Sequence, residues 1–382
     1  MFKILLFLFL FFSTFNVYAL DNCEWDNRKG NPCLVINKTN NSSKIAEEGV
    51  NKTIITKQEI DKSGYSNLSD ILKSISGLNV YQSGERGQSS SVFTRGSESN
   101  HTLVLLNGIA INDQSVTDGM HDFGQDFLQS IRQIEIYKGS NGAHFGPSAI
   151  AGAINLITAV DYTNSYSING FDGRNNSVNA NYTKITDNGW HLNINGTTNQ
   201  SNLGSSTADG IEDDSTFNKQ INLNSQKWIN NNIKLKSTLY VRETRTYYDD
   251  MDYKGELGYV MDNTMQSFQT SLDRVNKNME DSLILHWHAY AKDIDDGGYS
   301  DSYDSQSLVT KYEKKINSSE KLSFGFGSEY KYDWGGFVNE GAFNSTSKGH
   351  VKDFAIFANA GYKIYENSVI SLYARNDDHN TA

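Results

Sequence analysis

The feature that most constrains this chain is an alternation of apolar and polar residues that begins near residue 160 and continues to the C-terminus. It is clearest in WHLNING at 190–196, IKLKSTLYVRE at 233–243 and KLSFGFGSEYKYDW at 321–334. A period of two over about ten residues matches a tilted strand that crosses a bilayer. Soluble sandwiches are the alternative, but their strands average about five or six residues. The pattern therefore favours an antiparallel transmembrane β-barrel.

Proline and tryptophan positions agree with long strands. The chain has only two prolines, Pro32 and Pro147, so the barrel region has none. Because proline cannot donate to a strand ladder, its absence permits uninterrupted strands. Tryptophans at predicted strand ends would form the aromatic girdles of a membrane barrel; these are Trp190, Trp228, Trp287 and Trp334.

The amino-acid composition argues against some classes of function. The 382 residues carry a formal net charge of -11, whereas a nucleic-acid-binding protein needs a basic patch. Nucleic acid is therefore not an expected partner. No nucleophile, acid–base pair or phosphate loop stands out in the sequence, so we expect no enzyme activity.

The N-terminus predicts export. Residues 1–19 combine Lys3, an apolar run from Ile4 to Phe12 and a small-x-small cleavage pattern that ends at Ala19, as in a secretory signal peptide. Cys23 and Cys33 follow in the exported chain, and we expect them to form a disulfide. Residues 20–52 are rich in Asn, Lys and Ser and predict a flexible segment.

Residues 53–158 predict a compact α+β domain. The stretch KTIITKQEIDKSG indicates a short strand and a turn, and SNLSDILKSISGL indicates a helix capped by Ser66 or Asn67 and stopped by Gly77. Four more strands follow in SSVFTRG, TLVLLNGIAIN, IRQIEIYKG and GAINLIT, and we expect an autonomous four-stranded domain.

The order of these motifs resembles the plug domain of TonB-dependent outer-membrane receptors. It rests on SDILKSISGLNV, SSVFTRGSESNHTLVLLNGIAIND and IRQIEIYKGSNGAHFGPSAIAGAINLIT, and it extends more loosely through the barrel strands. Within that family, the cobalamin receptors are most similar. The resemblance implies a plug inside a 22-stranded barrel, a location in the outer membrane, and active uptake of a scarce nutrient. Cobalamin is the expected ligand, with a ferric siderophore or haem as alternatives.

The resemblance also implies a partner and a ligand surface. A TonB-type energy-transducing protein would bind the TonB box by adding a strand, and the apolar triplet Leu34-Val35-Ile36 is the candidate. An ordinary plug strand remains the alternative for this triplet. The positions that match the ligand-binding plug loops of cobalamin receptors are Ser89, Ser91, Glu98, Val116 and Thr117.

Acidic residues in the predicted outer loops form a second group of candidate site residues. Cobalamin receptors order their outer loops with calcium, which takes six to eight oxygen ligands. The positions that match by order are Glu212, Asp214, Asp249, Asp250 and Asp262. Solvated loops that face the lipopolysaccharide surface are an equal alternative.

Two further sets of side chains give expectations. His286 and His288 lie two apart on one strand and should face the lumen as part of a polar wall, because Trp287 between them should face lipid. Arg95 and Glu135 are candidates for ion pairs between the plug and the barrel wall.

The number of alternating segments is small for the expected barrel. About nine or ten strands are predicted in residues 159–382, fewer than half of 22, and Ala382 is not the aromatic residue that usually ends such barrels. An unclosed sheet leaves unsatisfied edges in lipid. The sequence therefore suggests a receptor truncated at its C-terminus. Its alternatives are a non-transporting ligand-binding fragment with a vestigial half-barrel and, less consistent with a plug, a passive porin.

Overall fold

The computed structural model describes residues 52–84, 87–116, 118–139, 142–158, 164–171, 175–204, 213–248, 259–295, 300–340, 344–365 and 368–381. The predicted signal peptide, the Cys23–Cys33 pair and the Leu34-Val35-Ile36 triplet lie outside them. Within these residues, no helix has the length and apolar character needed to cross a membrane.

The first structural unit begins with strand β1 (Lys52–Thr56) and helix α1 (Lys57–Ser63). Thr56 and Glu59 form a capping box, in which the backbone N–H of Thr56 donates to Glu59 Oε2 at 2.7 Å. Gly64 ends α1 with a φ of 71°, in the left-handed region. The expected turn after the first strand is therefore wrong, because this capping box starts a helix there.

Helix α2 (Leu68–Lys73) is capped by Asn67, one of the two caps that the sequence predicts. The helix stops at Ser74, three residues before Gly77. Its apolar face packs into the core of the unit, which contains Leu72, Val104, Ile134 and Ile154. The remaining elements are β2 (Leu78–Gln82), β3 (Ser90–Thr94), β4 (Thr102–Leu106), β5 (Ile109–Ala110), β6 (Gln133–Lys138), α3 (Gly142–Phe145) and β7 (Gly152–Ile157).

These strands form two small sheets. One has the order β1-β6-β7-β4-β5, in which β4 and β7 are parallel and the other pairs antiparallel, and the second is the β2–β3 hairpin. The expected number of four strands is wrong. Each of the four predicted apolar runs does form a strand, but β1, β2 and the short β5 pair with them.

The second unit is one antiparallel sheet whose strands are ordered as in the sequence. They are β8 (Ser165–Phe171), β9 (Asn175–Ile185), β10 (Trp190–Gly204), β11 (Asp213–Trp228), β12 (Ile233–Tyr248), β13 (Tyr259–Asn276), β14 (Met279–Asp295), β15 (Ser300–Asn317), β16 (Leu322–Glu340), β17 (Ser345–Tyr365) and β18 (Ser368–Thr381).

The sheet has eleven strands and is not closed, since β8 and β18 each have one strand neighbour among the described residues. An incomplete antiparallel barrel after an α+β unit is thus confirmed. The strand count is eleven, more than the nine or ten expected, because polar stretches such as those of β8 and β9 also form strands.

Burial follows the predicted alternation. On β10, Leu192 and Ile194 are exposed on the outer face, whereas Asn193 and Asn195 are buried on the inner face. The same holds on β14, where Leu283 and Leu285 face outward. Such an arrangement gives the sheet a lipid-facing apolar surface and a polar interior.

Tryptophan placement differs from the expectation. Trp190 begins β10 and Trp228 ends β11, as expected for girdle residues. Trp287 and Trp334, however, lie within β14 and β16. Those two strands extend well past the ten residues that a bilayer requires, so the ends of the apolar runs are not the ends of the strands.

Candidate functional site

The candidate site is the contact between the first unit, here called the plug, and the inner face of the eleven-stranded sheet. The sheet has a turn end, with the connections at 186–189, 229–232 and 277–278, and a loop end, with the connections at 205–212 and 249–258. The plug contacts the wall near the loop end through Gln88 and toward the turn end through Thr158, so it covers the inner face of the sheet.

A buried cluster of charged groups joins plug and wall. Asp126 of the plug forms an ion pair with Arg242 of β12, and its other oxygen lies 2.6 Å from His121 Nε2. All three side chains are almost fully buried. Burial alone would raise the pKa of Asp126, but His121 and Arg242 outweigh that effect and hold the pKa below its usual value. The carboxylate is therefore ionised and locks the plug electrostatically to β12.

A second carboxylate organises the plug surface beside this cluster. Asp122 accepts hydrogen bonds at 2.9 Å from the backbone N–H groups of Ser90 and Gly124. Its burial raises its pKa despite those hydrogen bonds. Asp122 therefore ties β3 to the segment that carries Asp126.

The plug segment before β3 lies against β11 and β12 near the loop end. Gln88 Nε2 donates to the carbonyl of Tyr247 at 2.7 Å, and Thr246 Oγ1 donates to the carbonyl of Gly87 at 3.3 Å. Gly87 has a φ of 89°, and a Cβ there would lie 2.3 Å from Thr216 Cγ2. Only glycine fits this close approach between plug and wall.

The plug segment after β5 lies against β14 to β16. Tyr290 donates its hydroxyl to the carbonyl of Ile111 at 2.7 Å, and Ser305 donates to Asp113 at 2.8 Å. A Cβ on Gly335 would lie 2.6 Å from the carbonyl oxygen of Gln114. This second close approach fixes the loop that contains Val116.

The predicted ligand residues fall into two places. Ser89 and Ser91 closely follow Gln88, which contacts Tyr247, and Val116 follows the segment that contacts Ser305, so these three lie toward the loop end. Glu98 is exposed and lies beyond the opposite end of β3, after the Arg95–Gly96 turn. Thr117 lies outside the described residues.

The predicted calcium residues are only partly described. Asp262 on β13 forms a two-pronged ion pair with Arg245 on β12, at 2.8 and 2.7 Å. Asp214 lies near the start of β11, where the structure describes the backbone alone. Glu212, Asp249 and Asp250 lie outside the described residues. Calcium binding therefore stays a prediction, with Arg245 as a competitor for the Asp262 carboxylate.

Two predictions about charged plug residues are wrong. Glu135 forms its ion pair with Lys52 of the plug itself, at 2.6 Å, because β1 and β6 are neighbours. Arg95 is exposed at a turn with a φ of 53°, and no ion pair for it is found within the described residues. The plug–wall ion pair is instead formed by Asp126 and Arg242.

His286 and His288 face the lumen. Both are 1% exposed, and His286 Nε2 lies 3.2 Å from His288 Nδ1. The described residues hold no group of three or more metal-ligating side chains.

Sequence reasoning missed His121, Asp126 and Arg242. The signal was present in part, since Arg242 is a charged residue at a lumen-facing position of an alternating strand, and HDFGQD at 121–126 concentrates polar groups between apolar runs. The partner of Arg242 could not be found because 115 residues separate it from Asp126 in the chain.

Part of the chain is similar in sequence to known proteins. Residues 44–153 match the family described as TonB-dependent Receptor Plug Domain. Over 138 residues the chain is 38% identical to the vitamin B12 transporter BtuB of Vibrio vulnificus (strain CMCP6), a match that covers 36% of this chain and 22% of that protein.

Solved structures share the fold. The ferric yersiniabactin uptake receptor FyuA of Yersinia pestis superposes with a TM-score of 0.69 at 14% identity, over 89% of this chain and 62% of that one. The siderophore receptor PirA of Acinetobacter baumannii gives 0.68 at 18% identity, over 86% and 56%. The chain thus spans about three fifths of the length of these structures.

Proposed function

We propose that this chain, which belongs to the TonB-dependent receptors of the outer membrane, takes part in the active uptake of a large, scarce nutrient, and that cobalamin is that nutrient. The observation that carries the proposal is the plug seated on the inner face of the barrel sheet by the buried Asp126–Arg242 pair. A passive pore has no use for such an obstruction, whereas a receptor that must be energised requires one.

The identity of the ligand rests on observations separate from those for the receptor function. The plug relative at 38% identity is a vitamin B12 transporter, which supports cobalamin. The siderophore receptors share the fold at less than 20% identity, so they bear on architecture alone. A ferric siderophore or haem remains the second candidate ligand.

Ligand would bind at the loop end, where Ser89, Ser91 and Val116 lie. Small hydroxyl groups and nearby backbone suit a large ligand with many amide groups. Calcium would order the loops beyond Asp262 when Arg245 releases its carboxylate. The protein supplies binding and gating rather than catalysis.

Energy would come from a TonB-type partner. The partner would pair with Leu34-Val35-Ile36 as an added strand. Transport also needs a closed wall, because open strand edges are not tolerated in lipid. The eleven strands would therefore act together with further strands that pair with β8 and β18. Without such strands the chain would be a non-transporting ligand-binding fragment.

Equilibrium binding to outer membranes that contain the protein tests the ligand. We expect saturable binding of labelled cyanocobalamin, strengthened by calcium, and no comparable binding of a ferric siderophore. Ser91→Trp should block binding, whereas the control Asn188→Trp, in the turn at 186–189 at the opposite end, should not. Saturable binding of the siderophore alone would reject cobalamin.

A further inference from the structure

A large cavity lies between the plug and the first three strands of the sheet. Its volume is about 790 Å³, within the range of small-molecule binding sites. On one side it is lined by α1 and by plug residues 127–129 and Arg132, and on the other by β8, β9 and β10. None of the predicted ligand residues that the structure describes, Ser89, Ser91, Glu98 and Val116, lines this cavity.

The wall side of this cavity carries only uncharged polar side chains and glycine. Its lumen-facing members include Ser167, Asn169, Asn179, Asn181, Asn195 and Asn199. The inner faces of later strands are different, since they carry buried carboxylates such as those of Asp273 and Asp333. A lining of amides and hydroxyls offers both donors and acceptors but no net charge.

One buried pair of amide side chains in the cavity, Asn199 and Gln129, has unused hydrogen-bonding capacity. Asn199 is 8% exposed, and its Oδ1 accepts a hydrogen bond from Gln129 Nε2 at 3.0 Å. Asn199 Nδ2 and Gln129 Oε1 are buried without a partner in the part of the chain that the structure describes. Since buried polar groups are normally satisfied, this donor and acceptor side by side point to a bound polar molecule.

Charged groups at the cavity are already engaged. Lys57 and Asp61 of α1 pair with each other at 2.5 Å. Arg132 Nη2 donates to Asn181 Oδ1 at 3.3 Å. The one carboxylate among the lining residues, that of Asp61, is therefore paired with Lys57. Tyr65 adds a partly exposed aromatic ring to the plug side, which suits the apolar face of a sugar ring.

We propose that this cavity binds an uncharged solute rich in hydroxyl and amide groups, of the kind represented by an N-acetylated oligosaccharide. Amide side chains exchange hydrogen bonds with hydroxyls and amides equally well, and the ring of Tyr65 covers an apolar patch. The site is independent of the nutrient that binds at the loop end. The receptor would thus have a second binding site, between the plug and the wall.

Calorimetric titration of the full-length protein in detergent tests the proposal. The probe is triacetylchitotriose, and the matched probe is its deacetylated form, which replaces three amides by three ammonium groups. We expect saturable binding of the acetylated trimer with a Kd on the order of 1 mM, a weak-ligand affinity. Because the cavity has no unpaired carboxylate, the deacetylated trimer should not bind there.

Variants locate the binding. Asn199→Leu removes the unpartnered donor and should weaken binding about three- to tenfold, as loss of one hydrogen bond does. Thr198→Leu changes the neighbouring residue on the exposed outer face and should leave binding unchanged. Asn179→Leu, on the adjacent strand, should also weaken binding if Asn199→Leu fails to fold. Equal binding of both trimers would show that the acetamido groups are not recognised, and it would overturn the proposal. Undiminished binding by both cavity variants would overturn it as well.

Discussion

Asp126 of the plug and Arg242 of strand β12 form a direct, almost fully buried ion pair. Within the described residues, Arg242 Nε has no hydrogen-bond partner, so the guanidinium depends on Asp126 and a longer contact with Asn263 at 3.4 Å. Removal of one member would leave a buried charge uncompensated, which costs far more than removal of both. This asymmetry makes the pair a sensitive point of plug attachment.

Breaking this pair should loosen the plug. We expect Arg242→Met to lower the free energy that holds the plug in place by about 3–5 kcal/mol, since Asp126 is then buried beside His121 alone. The double variant Asp126→Asn with Arg242→Met should recover most of that loss. Protease sensitivity of the plug at increasing urea concentrations measures the loss in the single variant and the recovery in the double variant.

The matched control is an exposed ion pair whose arginine, Arg245, lies on the same strand as Arg242. Arg245→Met breaks the exposed contact with Asp262 and should cost about 0–1 kcal/mol. If the Arg242 and Arg245 variants behaved alike, the buried pair would not be the attachment point.

Acid should weaken the β1–β6 edge of the plug through Glu135. Burial tends to raise the pKa of Glu135, but hydrogen bonds from Lys52 and Asn155 and the charge of Lys52 bring it below its usual value. A carboxyl with a lowered folded-state pKa adds stability above its unfolded pKa of about 4.3 and loses it as pH falls through the folded value. Urea midpoints should therefore fall from about pH 5 to pH 3.

Glu135→Gln isolates this effect. The variant keeps the shape of the side chain but cannot ionise, so its urea midpoint should depend less on pH over the same interval. An unchanged pH profile in Glu135→Gln would show that other carboxyls govern the acid response.

Gly335 should tolerate no side chain. A Cβ there would lie 2.6 Å from the carbonyl oxygen of Gln114, so Gly335→Ala must displace the plug loop that carries Val116. We expect a lower urea midpoint for plug release and weaker ligand binding. Gly349→Ala is the control, because Gly349 pairs with Gly335 across β16 and β17 and a Cβ there meets nothing within 4 Å. Equal behaviour of the two variants would contradict the close approach.

The candidate TonB box makes a prediction about coupling. Val35→Pro removes a ladder donor from Leu34-Val35-Ile36 and should abolish uptake while ligand binding at the outer face persists. Asn40→Pro, in the polar stretch that follows, serves as the control and should retain uptake. Normal uptake by Val35→Pro would assign the box elsewhere.

Much of the fold could be predicted because its determinants are local. Alternation on β10 and β14 fixed which residues face lipid, and the Asn67 cap fixed the start of α2. Helix α1 was missed because its start depends on the reciprocal Thr56–Glu59 contact rather than on apolar spacing.

The candidate site was harder to predict because its contacts are distant in sequence. Glu135 could be identified as a buried acid, but its pairing with Lys52 follows from the neighbouring positions of β1 and β6. The Asn199–Gln129 contact likewise joins an alternating strand to a plug loop whose positions only the folded chain defines.

Uptake of labelled cyanocobalamin tests the central claim most directly. The complete gene that encodes this chain would be expressed in cells that lack their own cobalamin receptor, with the gene for the TonB-type partner present or deleted. The account predicts accumulation above the bound level in the first strain and only surface binding in the second. Accumulation that survives deletion of the partner, as through a passive pore, would contradict it.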